Sequence, residues 1–137
     1  MSQVNADTIR KSDGSLGTDI RIKNTSVYES DGGTSVTQNL VQGLIKVWCY
    51  TPNDGASIND SFNVSSVTDA ATGQTVVNMS NAMANANYSI GHTTYTNIVH
   101  SWVSGDDQAA SNYRTRAYDG SSYQDNGFRS QAAGDLA

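Results

Sequence analysis

Apolar and polar residues alternate in short bursts along this chain, and the densest burst is LIKVWCY, from Leu44 to Tyr50. The run is β-branched and aromatic, and Pro52-Asn53-Asp54-Gly55 stops it. Proline presets φ where a turn begins and glycine tolerates positive φ where it ends, so the cluster predicts a turn. A second run, Ser61 to Asp69, sets Phe62 and Val64 on one face and then slips by one residue to Val67. Alternation buries one face of a strand, and a one-residue slip is how a bulge reads in sequence. These runs are expected to pair across the turn as the centre of the fold.

The same period continues downstream. Gln74 to Met79, Tyr88 to Tyr95, Asn97 to Ser104, Asn112 to Tyr118 and Phe128 to Ala132 all read as strands. Asn81 to Ala86 reads as a loose connection, while Gly105-Asp106-Asp107 and Asp119-Gly120-Ser121-Ser122 read as turns. About seven or eight short strands at such spacing predict an all-β fold, an antiparallel β-sandwich or barrel-like domain over residues 44–137. No repeat at a fixed period is visible, which argues against a solenoid.

The pattern ahead of this domain differs. Residues 1–35 are polar, with glycines at 14, 17, 32 and 33 and brief alternations at Val4 to Ile9, at Ile20 and Ile22, and at Val27 and Tyr28. Segments this short cannot hold a sheet alone, so they predict an extended arm ordered by pairing with another chain, or else a flexible linker. Over 36–43, Val36, Leu40, Val41 and Leu44 recur at helical spacing, with Gly43 near a C′ position. The spacing predicts a short helical turn. Two turns are not stable alone in water, so Val36, Leu40 and Leu44 are candidates for a trimer axis, or for packing on their own domain.

Composition sharpens this picture. Leu, Ile, Val and Phe number only 24 of the 137 residues, whereas Ser, Thr, Asn and Gly number 56. A core this thin must still offset roughly 1–2 kcal/mol of backbone entropy per ordered residue, which points to an obligate oligomer. The net charge of -5 and the scattered Lys and Arg argue against nucleic-acid binding. The single Cys49 cannot form an intrachain disulfide and reads as a small buried hydrophobe. No stretch approaches the ~20 apolar residues of a membrane span, and the opening Met-Ser-Gln-Val-Asn-Ala has no secretory pattern.

Candidate chemistry is sparse. His92 and His100 fall on neighbouring strand-like segments, in phase with Ile90 and Ile98, and lack the further ligands a metal needs unless three chains share an axis. Asp106, Asp107, Asp119 and Asp125 sit at turn signals and form no calcium-loop pattern. Glu29 is the sole glutamate, which excludes a Glu-based acid/base pair, and no nucleophile motif occurs. Neither catalysis nor a cofactor or metal is expected. Tyr95, Trp102, Tyr113, Tyr118 and Tyr123 crowd the last third, either filling a core short of Leu and Phe or forming a platform for sugars or proteins. Trp48 is assigned to the core, Tyr118 and Tyr123 to the surface. Alternating turns put Pro52 to Gly55 at the end away from the arm, with Asp106-Asp107, Asp119-Gly120 and Tyr123 beside it.

One resemblance spans both ends and the centre. It rests on the Lys46-Val47-Trp48 strand with its Pro/Gly turn, Asp60-Ser61-Phe62-Asn63-Val64-Ser65-Ser66-Val67-Thr68-Asp69, Thr75 to Met79, Ala82 to Ser89, the terminal Gly134-Asp135-Leu136-Ala137, and Val4 to Ile9. This set resembles small fibre-type virion proteins of tailed bacteriophages, particularly those of marine and cyanobacterial phages. The resemblance implies a homotrimeric virion protein, made in the bacterial cytoplasm, whose residues 1–35 dock on other virion proteins of tail or capsid. Its β domain would then meet a host surface glycan or protein. Tyr118, Tyr123, Trp102, Asp106 and Asp107 are the candidates for that contact. A capsid decoration or head-fibre protein and a free carbohydrate-binding module are the alternatives.

Overall fold

The computed structural model describes residues 27–29, 37–39, 43–52, 54–95 and 100–137, with 27–29, 37–39 and 104–106 described by backbone alone. The described residues contain no helix. Ten strands form in chain order: β1 (Val27–Glu29), β2 (Thr37–Asn39), β3 (Ile45–Tyr50), β4 (Asp60–Phe62), β5 (Val64–Ala71), β6 (Gln74–Met79), β7 (Ser89–Thr94), β8 (His100–Ala109), β9 (Asn112–Tyr118) and β10 (Phe128–Ala133). Apart from the β1–β2 ribbon they make two four-stranded antiparallel sheets, ordered β4-β3-β10-β7 and β5-β6-β9-β8. The fold is an all-β antiparallel sandwich, as the alternation predicts.

β2 lies inside the segment where a helical turn is expected. Thr37, Gln38 and Asn39 pair with Glu29, Tyr28 and Val27. Thr and Asn are poor helix formers, and a ladder satisfies backbone groups that a two-turn helix leaves open at both ends. Gly43 and Leu44 form a turn and a bend, and Leu44 is 52% exposed. Val36 and Leu40 lie outside the described residues, as do the alternations at Val4 to Ile9, Ile20 and Ile22.

The central pair also differs from the expected hairpin. Of the second run, only the part within Asp60–Phe62 pairs with β3, in the register Trp48↔Phe62, Cys49↔Ser61 and Tyr50↔Asp60. The next residue, Asn63, has φ of 58° and turns the chain into the other sheet. Asparagine tolerates that left-handed conformation better than most residues. The Asn63 side chain accepts from the Asn81 amide at 2.7 Å and donates to the Asn81 carbonyl at 3.0 Å, fixing the crossing. The slip read at Val67 is a true bulge: Val64 faces Met79 and Ser66 faces Asn78, leaving Ser65 extra. Val64 and Val67 consequently both pack against the core.

The core draws on both sheets. Val47, Cys49, Phe128 and Ala132 from one meet Val77, Met79 and Tyr113 from the other, with Met83 and Tyr88 added from the β6–β7 connection. That connection is more ordered than its Ala/Asn composition predicts. Met83 is 1% exposed and bridges Leu136, its amide donates to the Ala110 carbonyl, and the Gln108 side-chain amide donates to Ala86 and Tyr88 carbonyls.

His92 points into this interior beside Phe128, ring centroids 5.4 Å apart, and its ring nitrogens have no hydrogen-bond partner among the described residues. Burial pushes its pKa down to about 4. A histidine that binds protons less well folded than unfolded supports the fold above its unfolded pKa of about 6.5. That support is lost as pH falls through 6.5 toward 4. Denaturant midpoints should therefore decline across this window by the equivalent of roughly 2–3 kcal/mol, and His92→Gln should remove that part of the decline.

Candidate functional site

Alternation gives each sheet an outward face, and both carry aromatic residues. In β9, Tyr113, Thr115 and Ala117 are buried, so Asn112, Arg114, Arg116 and Tyr118 face out. Pairing of β8 with β9 sets His100 opposite Tyr118 and Trp102 opposite Arg116. Past Tyr118 the chain turns on Asp119 and Gly120, and Tyr123 returns to bridge Tyr118. Tyr123 thus stands edge-on to Tyr118 at 5.6 Å and tilted toward Trp102 at 6.2 Å between ring centroids. Three of the residues expected to form a contact surface are brought together.

Asp119 builds that turn. One carboxylate oxygen accepts from the amides of Ser121 and Ser122 and from the Ser121 hydroxyl at 2.8–2.9 Å, while the other accepts from Gln124. Donation from the Ser122 and Ser121 amides holds its pKa down at about 2. This is the turn role expected of Asp119.

Asp106 and Asp107 are not a turn. They belong to β8, where the register jumps from Val103↔Thr115 to Gln108↔Tyr113. Residues 104–107 therefore oppose Arg114 alone, an enlarged bulge whose Gly-Asp-Asp sequence imitates a turn. The bulge aims Asp107 at two arginines, 2.5 Å from Arg116 and 3.5 Å from Arg114. Asp107 is thereby committed to an ion-pair cluster within the sheet face rather than to a distal loop. One end of the sandwich is formed by Pro52, Asp54 and Gly55, by Gly73 and by 119–127, where Thr75 donates to Gly55, Gln124 donates to Ala117 and the Gly73 amide donates to Asp125. Asp119, Gly120 and Tyr123 lie there as expected; the hairpin joining β8 to β9 lies at the opposite end, with Met83.

The other sheet's outward face holds residues assigned elsewhere by the sequence reading. Trp48 is 37% exposed, not core. The period that puts Val47 and Cys49 inside puts Trp48 and Tyr50 outside, so the signal was present in the alternation itself. β10 sits between β3 and β7, aligning Gln131 with Trp48 and Gly91, and Arg129 with Tyr50 and Thr93. The Arg129 guanidinium lies 4.6 Å from the Tyr50 ring centre and 5.3 Å from that of Tyr95, and the two tyrosines stack with planes 16° apart. A groove of about 560 Å³ runs across these residues.

The histidines separate: His92 is interior in one sheet, while His100 is exposed on the other, opposite Tyr118. Among the described residues no cluster of three His, Cys, Asp or Glu could hold a metal. Cys49 is buried, and burial raises its thiol pKa to about 11, so it stays protonated and unreactive at neutral pH. No protein-family model, curated protein or solved structure matches the chain.

Proposed function

We propose that this chain is a structural protein of a tailed-bacteriophage virion, a short trimeric fibre. Residues 1–35 dock on the particle, at tail or capsid, and the β-sandwich is presented for host-cell attachment. The protein acts by binding and not by catalysis. The observation that carries the attachment role is the outward cluster of Trp102, Tyr118 and Tyr123, flanked by the Asp107–Arg116 pair. Rings held by a strand pair and a tight turn offer contact area at little further entropic cost. The resemblance of the chain to fibre-type virion proteins supplies the biological setting. A free carbohydrate-binding module is the second reading, favoured by aromatic rings on both outward faces; it has no use for a docking arm.

Association supports both the thin core and the attachment role. Leu44 and Ile45, at the start of β3, are 52% and 41% exposed, and identical copies meeting there would cover them. Each receptor contact is weak, so useful affinity comes from several copies engaging together. Leu44→Asp should leave the sandwich folded, because that side chain is outside the core, yet yield monomers by light scattering where the wild type gives trimers. A wild-type monomer at micromolar concentration would refute the trimer.

Adsorption tests the attachment surface. Folded trimers of Tyr118→Ala and Tyr123→Ala should each bind host cells roughly tenfold or more weakly, since loss of one aromatic hot spot is repeated in every copy. Wild-type adsorption by both would remove this face from host attachment. Particles assembled with a chain lacking 1–35 should fail to incorporate it, and normal incorporation would refute the docking role.

A further inference from the structure

The groove across β3, β10 and β7 is not used by the attachment surface above, which lies on the opposite sheet. We infer that it is a binding site for a saccharide bearing a carboxylate. Its walls combine apolar faces and polar groups that complement the C–H patches and hydroxyls of a sugar ring: Trp48 and Tyr50 offer flat apolar faces, while Gln131, Thr93 and Arg129 offer hydrogen bonds. Aromatic rings stack on the apolar face of a pyranose, and planar amide and guanidinium groups engage its edge.

The charge assigns the acidic class. Arg114 and Arg116 are both engaged by Asp107, whereas Arg129 makes no ion pair among the described residues. Its guanidinium is instead held against Tyr50 and Tyr95, which leaves its hydrogen-bonding edge available for a planar carboxylate.

Gly91 supplies the floor. It lies in a regular strand opposite Gln131, and a Cβ there would meet Gln131 Cγ at 3.4 Å, an ordinary contact. A larger residue is tolerated by the backbone but raises the floor beneath the sugar. Gly91→Val is therefore a variant that blocks the site without unfolding the protein, and valine favours a strand.

The inference does not rest on the virion reading, and its test needs neither phage nor host cell. Purified full-length protein would be titrated with trigalacturonic acid and, separately, with its methyl ester, following amide and indole N–H signals by NMR. The acid should shift the Trp48 indole and the Gly91 amide saturably, and the ester should bind about tenfold or more weakly for want of the charged acceptor. Gly91→Val should retain the wild-type spectrum elsewhere and lose binding, and Arg129→Gln should bind acid and ester alike. Unmoved Trp48 signals with either sugar, shifts confined to Trp102, equal affinity for acid and ester, or wild-type binding by Gly91→Val would each overturn the assignment. So would sedimentation showing that Gly91→Val dissociates an oligomer without altering a sugar response, which would make the groove a contact between copies.

Discussion

A hydrogen bond between two hydroxyls ties the sheets together: Tyr113 Oη and Ser130 Oγ lie 2.7 Å apart in the middle of the sandwich. Tyr113 is the largest of the fully buried side chains, a place that a long aliphatic or phenylalanine fills in a richer core. Its burial pushes the phenol pKa well up, so it stays protonated at any physiological pH. A chain with so few Leu and Phe fills its interior with hydroxyl-bearing residues, and each must find a partner or destabilise the fold. Thr51 meets Phe128, Thr75 meets Gly55, Thr115 meets Thr75, and Tyr88 shares its proton between the Ala109 and Asn112 carbonyls. These bonds join strands to connections, and they make the core specific in a way that apolar packing alone would not.

That constraint shapes the surface. With Tyr113, Tyr88 and Phe128 spent inside, other aromatics among the described residues lie on both outward faces. Trp102, Tyr118 and Tyr123 gather on one sheet, and Trp48, Tyr50 and Tyr95 with Arg129 on the other. The sandwich thus carries aromatic rings on both outward faces. The proposed host contact and the proposed acidic-sugar site use one each. The arginines distinguish them, paired with Asp107 on the first and left for an outside acceptor on the second.

Much of this was legible in the alternation. β6, β9 and β10 lie where their period-two patterns put them, and even the bulge at Ser65 shows as the slip to Val67. Where the sequence misleads, local chemistry imitates something else. Gly105-Asp106-Asp107 carries turn residues yet forms a bulge, because pairing on both sides of it outweighs local preference. Val36, Leu40 and Leu44 keep helical spacing, but Thr37–Asn39 joins a ladder. Asn63 looks like one more polar position in an alternating strand; only its positive φ and its bonds to Asn81 reveal the sheet crossing. Trp48 lies outside although its size suggests core, because the period of β3 that buries Val47 and Cys49 faces it outward. Met83, buried within an Ala/Asn stretch, gave no periodic signal at all.

The dependence of the fold on its buried hydroxyls is open to a direct measurement: a double-mutant cycle on Tyr113→Phe and Ser130→Ala by denaturant unfolding. Each single change strands the partner hydroxyl in the core and should cost about 1–3 kcal/mol. Removing both leaves nothing unsatisfied, so the double variant should be more stable than the sum of the single losses implies, by roughly 1 kcal/mol or more. Strict additivity, or single variants as stable as wild type, would contradict the account and leave the sheets held by apolar contact alone.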